Sequence, residues 1–201
     1  AFARNNLNDI VIPDSVIAIG NNAFEFNKLS KVVIPDSVTS LGGGVFRRNK
    51  LTEVVIPDSV TSIGDNAFEF NNLSMVAIGD SVTSIGYGAF EYNRLKEVVI
   101  GDAVTSIGSA AFINNKITEI IIPDSVTYIG SGAFSGNDLS EVVVPDSVIL
   151  MGGGFMGIGA FSYNDLSRVV FPEAITSIGA YVFAGNKLTD IIIPDSVTSI
   201  G

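Results

Sequence analysis

The chain has 201 residues, 47% of them hydrophobic and 16% charged, with eleven basic and twenty-one acidic residues and a net charge of −10. That apolar content excludes a disordered chain, and that charge argues against nucleic acid and anionic membranes as partners. Having neither Cys nor His, the chain has no thiolate, no disulfide, and neither the commonest metal ligand nor the commonest general base, which makes it a poor candidate for an enzyme.

Taken in order, the predicted elements are one unit written repeatedly. Its leading position falls at Leu7, Leu29, Leu51, Leu73, Leu95, Ile117, Leu139, Leu166 and Leu188, every step being 22 residues except the 27 between Leu139 and Leu166. An Asn stands two residues before each, from Asn5 to Asn186, and all seven prolines share one register, with Gly79 and Gly101 in its two other slots. A Gly column runs from Gly20 to Gly201, and nine of the thirteen Phe form a column from Phe2 to Phe183.

Within the unit that begins at Leu51, "LTEVVIP" predicts a short strand with Leu51, Val54 and Ile56 inward and Glu53 and Val55 outward. Pro57 removes a backbone donor and ends it, and "PDS" predicts a turn in which Asp58 bonds the backbone two residues on. "VTSI" follows as a second short strand with Thr61 outward, Gly64 allows a turn with positive φ, and "DNAFEFN" predicts one helical turn that buries Ala67 and Phe68. A unit this short cannot bury its own apolar side chains, so successive coils must stack. The expected fold is therefore a repeat solenoid, a single domain over residues 1–201 of about nine 22-residue coils. It is built mostly from short parallel β-strands with single helical or 3₁₀ turns.

One stretch departs from the period. Residues 148–161 read "VILMGGGFMGIGAF", in which Gly152, Gly154 and Gly157 spell G-x-G-x-x-G. A dinucleotide fingerprint needs a strand before it, a longer helix after it and an acid about 20 positions on. Here Glu173 is the coil's own turn acid and no βαβ unit surrounds the motif, so neither cofactor nor nucleotide is expected. The reading instead is a five-residue insertion near 153–158 that exposes some of Phe155, Met156 and Ile158 at a coil corner. Such a bulge is a tolerated insertion or a local contact point. Both ends of the chain fall inside the repeat without an atypical polar cap, which predicts a segment of a longer array.

Four columns compete for a functional role. The Asn column is expected to satisfy backbone groups at each corner. The acidic column from Asp14 to Asp195 suits turns better than Ca²⁺, which takes six to eight oxygens, so no metal site is assigned. The outward Thr file fits strand propensity better than ice binding. Most informative is the outward middle of the first strand, where Val11, Val33, Val55, Ala77, Val99, Ile121, Val143, Val170 and Ile192 are all apolar. Beside it run Glu53, Glu97, Glu119 and Glu141. An apolar stripe along a full sheet is larger than soluble monomers usually expose, so it is assigned as the partner-binding face.

These residues resemble the BspA-like leucine-rich repeats, also called the Treponema pallidum type, whose approximate signature L-x-x-V-x-I-P-x-S-V-T-S-I-G-x-x-A-F-x-x-N/C is matched in nearly every coil. The family's usual unit is 23 residues, often with Cys near the Asn position, whereas this chain uses 22 and no Cys. The resemblance implies a leucine-rich-repeat right-handed superhelix and an extracellular or cell-surface protein of a bacterium or protist. It further implies a protein ligand, either a host matrix protein or another cell surface, and brings no catalytic motif. A homo-oligomer formed along the apolar stripe or end to end is the alternative. No nucleic acid and no direct membrane insertion is expected.

Overall fold

The computed structural model describes residues 1–154 and 157–201. Among the described residues the chain forms no helix, only strands of two to four residues joined by turns, and every strand pairing is parallel. Among the described residues no helix is long and apolar enough to cross a membrane.

The second strand of each unit builds the longer ladder. Ala18–Ile19, Ser40–Leu41, Ser62–Ile63, Ser84–Ile85, Ser106–Ile107, Tyr128–Ile129 and Leu150–Met151 pair in that order into one seven-stranded sheet. Ser177–Ile178 and Ser199–Ile200 pair separately. The first strands form shorter sheets: Glu53–Ile56, Met75–Ile78 and Glu97–Val99 in one, Glu141–Val143 and Arg168–Val170 in another. The registers are in phase with the repeat, so Glu53 stands opposite Met75 and Val55 opposite Ala77.

The core is the one predicted. Leu51, Val54, Ile56, Val60, Ile63, Ala67 and Phe68 are buried, as are their counterparts in the central coils. Nine Phe rings stack from Phe2 to Phe183 with centroids 5.3–5.8 Å apart. The Phe134–Phe161 step keeps this spacing, at 5.4 Å, across the longer sequence interval. Burying one such ring contributes roughly 1.5–3 kcal/mol, and each needs its neighbours' rings to exclude water.

The Asn column is the polar seam of this core. Asn71 Nδ2 donates to Phe68 O in its own coil (3.0 Å) and to Phe46 O in the preceding one (2.9 Å), while its Oδ1 accepts from Leu51 N (3.0 Å). The pattern recurs from Asn27 to Asn186, and no buried side-chain N or O among the described residues lacks a partner. A corner that would otherwise strand backbone groups is satisfied by one amide per coil.

Three local expectations are corrected. The "DNAFEFN" segment is two successive β-turns, closed by Ala67 N–H to Gly64 O (3.3 Å) and Glu69 N–H to Asn66 O (3.1 Å). Between these, Asn66, Phe68 and Phe70 send their N–H groups to Tyr87, Ala89 and Glu91 carbonyls of the next coil. A helical turn would have kept those donors inside the coil and left the coil–coil contact unpaired. The left-handed residues are not the Gly64 column but two others in each turn pair, for example Asn66 (φ 56°) with Phe70 (φ 54°), and Gly44 (φ 61°) with Arg48 (φ 54°). Gly86, of the Gly64 column, is glycine for a different reason: a Cβ there would lie 2.6 Å from Asp65 N. Finally, the "PDS" turn is closed by backbone, Val60 N–H to Pro57 O (3.0 Å), and the carboxylate does not serve it. Asp58 Oδ1 accepts from Asp80 N of the next coil (2.9 Å), and Ser59 Oγ donates to Val38 O of the preceding one (2.7 Å).

Candidate functional site

Strand alternation decides what the first-strand face shows. Along Glu53–Ile56 exposure and burial alternate residue by residue, so Val55 stands in solvent between two core side chains. Val33, Val55, Val99, Ile121 and Val143 are 52–86% exposed, and Ala77 and Val170 are half-buried. The repeat thus brings all of them into one outward file. Glu53, Glu97, Glu119 and Glu141 are exposed beside it, and on its other side runs the exposed acidic file from Asp14 to Asp195. Together the two flanking files hold fifteen of the chain's twenty-one acidic residues, against only Lys31 and Arg168 of opposite charge.

The expectation of one sheet along the whole stripe is corrected. Among the described residues no ladder joins residues 31–34 to Glu53–Ile56, Glu97–Val99 to residues 119–122, residues 119–122 to Glu141–Val143, or Arg168–Val170 to residues 190–193. Clefts open at the first, second and fourth of these junctions. Like charges on adjacent strands oppose pairing. The ladders that survive are those in which Met75 separates Glu53 from Glu97, and in which Arg168 pairs with Glu141. At the Lys31–Glu53 and Arg168–Asp190 junctions the strands part despite opposite charges, so charge alone does not account for every break.

The other columns are engaged internally. Thr61, Thr83, Thr105 and Thr127 each donate their hydroxyl to the Thr carbonyl of the preceding coil at 3.1–3.2 Å. Those donors serve the solenoid rather than an external lattice of water. Among the described residues no group of three or more carboxylates is placed to hold a metal ion. Lys116 pairs with Asp138 of the next coil at 3.8 Å, and Lys187 with Asp165 of the preceding coil at 2.8 Å.

The insertion is held at its base. Gly154 N–H donates to Ala180 O (2.8 Å), as the corner residues of regular coils donate to the next coil, so the extra residues lie between Gly154 and Ala160. Ser131 Oγ donates to Ile158 O (2.8 Å), which ties the loop to the preceding coil, and Ile158 remains 39% exposed. Phe155 and Met156, the other two members of the expected contact bulge, lie outside the described residues.

Two files escaped the sequence reading. Arg4, Phe26, Arg48, Phe70 and Tyr92 occupy the second left-handed position of successive coils and stack outside the core. Arg48 lies between the Phe26 and Phe70 rings, at 5.1 and 4.5 Å, and Phe70 stacks on Tyr92 at 4.6 Å. Left-handed backbone costs about 1–2 kcal/mol per residue, which this stacking and the N–H bonds to the next coil offset. One residue earlier, Glu25, Arg47, Glu69 and Glu91 form a charged file. Arg47 donates to Glu69 and approaches Glu25 at 3.5 Å, both carboxylates being buried. The hydrogen bond to Glu69 raises the Arg47 pKa further. Burial pushes the Glu91 carboxyl above its ordinary range, Glu69 adds to this, and Arg47 opposes it. The signal for both files was their 22-residue recurrence inside "NAFEF", where the Phe of the core column drew attention first.

A family model described as BspA type leucine rich repeat region matches residues 1–118 and 90–201. Among solved structures, a leucine-rich repeat protein from Bacteroides ovatus superimposes with a TM-score of 0.64 at 24% identity, over 94% of this chain and 55% of that one. YopM from Yersinia enterocolitica gives a TM-score of 0.56 at 17% identity, over 99% of this chain and 44% of that one. The chain thus spans about half the length of these two structures. No curated protein matches it by sequence.

Proposed function

The chain belongs to the BspA-type leucine-rich repeat family, and from that premise we propose that it is a non-catalytic binding segment of an extracellular or cell-surface protein. In this reading it takes a protein ligand, a host matrix protein or another cell's surface, on its first-strand face. The observation that carries the reading is the file of nine outward apolar side chains, seven of them more than half exposed. Val and Ile satisfy strand propensity anywhere on a sheet. Yet the second-strand face, under the same propensity, carries Thr at seven of the nine corresponding outward positions, Ile17 and Ile149 being the exceptions. Apolar surface in a continuous row on one face only is the distribution expected of a docking surface.

The test replaces Val55, Val99 and Val143 together with Thr, which keeps branching at Cβ and removes apolar surface. Capture of the chain by immobilised extracellular-matrix proteins is expected to fall by about tenfold or more while thermal stability holds. Unchanged capture would reduce the stripe to strand filler. Light scattering over a concentration series runs alongside. Self-association that the triple substitution abolishes would make the face a contact between copies of this chain.

A further inference from the structure

The chemistry of the partner can be narrowed, and the argument rests on the binding-face reading above. The apolar stripe lies between two acidic files, so any occupant desolvates carboxylates along both borders as it covers the valines. A second copy of this chain would bring the same acidic borders against them, and like charges across an interface cost several kcal/mol. The surface is therefore complementary to a chain that is apolar and positively charged.

The cleft between Glu97–Ile100 and Glu119–Pro123 sharpens this further. No ladder closes it, and Val99, Ile121 and Pro123 supply apolar wall while Glu97, Asp102 and Glu119 supply three carboxylates. Lys96 is the one cation on its lining, leaving a net charge of −2 from those four side chains. Among the described residues neither Glu97, Asp102 nor Glu119 has a basic partner within ion-pair distance. Nor do they converge as metal ligands would. A slot with apolar walls and dispersed negative charge fits a side chain with an aliphatic stem and a cationic head. Of the other three clefts on this face, those at Lys31 and at Arg168 each hold a cation of their own. The third, over the paired Glu53–Ile56 and Met75–Ile78 strands, is lined by Asp36, Asp58 and Asp80 without a cation, but Asp58 and Asp80 there accept main-chain N–H groups of the next coil.

From these features we infer that the first-strand face binds an extended basic polypeptide, in which Lys or Arg alternates with apolar residues, and that one basic side chain enters the Glu97–Asp102–Glu119 cleft. Alternation follows from the strand period: apolar side chains of the partner cover the stripe and the intervening ones reach the acidic files.

The probe is a soluble fluorescent decapeptide alternating Lys and Val, titrated with the full 201-residue chain and compared with the same peptide carrying Glu for Lys. The Lys peptide is expected to bind and to weaken steeply with added salt, and the Glu peptide to bind at least tenfold less well. Neutralising the cleft with Glu97→Gln, Asp102→Asn and Glu119→Gln should weaken Lys-peptide binding about tenfold or more and flatten its salt dependence. The control, Asp138→Asn with Asp165→Asn, outside the cleft lining and paired with Lys116 and Lys187, should leave binding within about twofold. Equal affinity for the two peptides, or binding of the Lys peptide that survives cleft neutralisation, overturns the inference. So does a dimer that forms through the stripe at the same concentrations. The Val→Thr triple variant separates the two readings: if it abolishes matrix-protein capture while cleft neutralisation changes nothing, the binding face stands and the basic partner falls.

Discussion

The two strand faces of each coil are made from similar short strands and end up different. On the second-strand face seven strands pair without interruption, and outward Thr hydroxyls bond from coil to coil. On the first-strand face the outward side chains are valines, isoleucines and Ala77 between acidic borders, and the ladders survive only in groups of two or three strands. The difference teaches that coil stacking does not depend on the first ladder. The Phe column, the Asn seam and the second-strand sheet hold the coils in register, which leaves the first-strand face free to carry surface chemistry that impairs its own pairing.

The contrast can be broken most sharply at the Gly column that ends the second strand. Gly86→Ala would place a Cβ 2.6 Å from Asp65 N and 2.7 Å from Gly64 C, main-chain atoms that cannot swing aside. A loss of about 2–3 kcal/mol is expected, read as a lower chemical-denaturation midpoint. Exposed valines opposite should behave differently: Val99→Thr alone is expected to shift stability by no more than about 0.5 kcal/mol in the same measurement. Equal costs at the two sites would remove the distinction between a structural and a presenting face.

Smaller changes sharpen it. Thr105→Val keeps the strand shape but deletes the hydroxyl bond to Thr83 O, an exposed contact of 3.1 Å, and should cost about 0.5–1 kcal/mol. At the corner between the faces, Glu91→Gln should stabilise modestly at neutral pH. Burial raises the folded-state pKa of this carboxyl above 4.5, so its ionisation favours the unfolded chain once pH passes that value. The gain is therefore present at neutral pH and disappears as pH falls below the unfolded value, which paired melting curves at pH 7 and pH 4 would read. A small effect is also expected from deleting residues 155–159. Among the described residues the second-strand ladder breaks only between Met151 and Ser177, at this insertion, while the Phe134–Phe161 stack passes it undisturbed. Stability should stay within about 1 kcal/mol, and loss of partner capture on deletion would mark the loop as a contact point.

Much of the fold was legible in the order of residues. A 22-residue recurrence of Leu, Val, Ile, Phe and Asn can be satisfied only by stacking, and strand alternation placed Val55 outside and Val54 inside without any coordinate. The Asn seam was legible too, since a buried amide at every corner has few other uses. What the sequence misassigned was local backbone. "DNAFEFN" reads within one unit as a single helical turn, but the next coil supplies carbonyls that draw its N–H groups out of the helix direction and into left-handed corners. The Gly64 column suggested positive φ, whereas the constraint on Gly86 is the close approach of a neighbouring coil, which is a property of two units and cannot be read within one.

The acidic borders of the stripe could be counted from the sequence, but the cleft between Glu97 and Glu119 could not. Periodicity fixes which side chains share a file, because each coil must repeat the last to bury its core. Whether adjacent strands in that file then close into a ladder depends on the balance of pairing against charge and packing between coils. Only the stacked structure sets that balance.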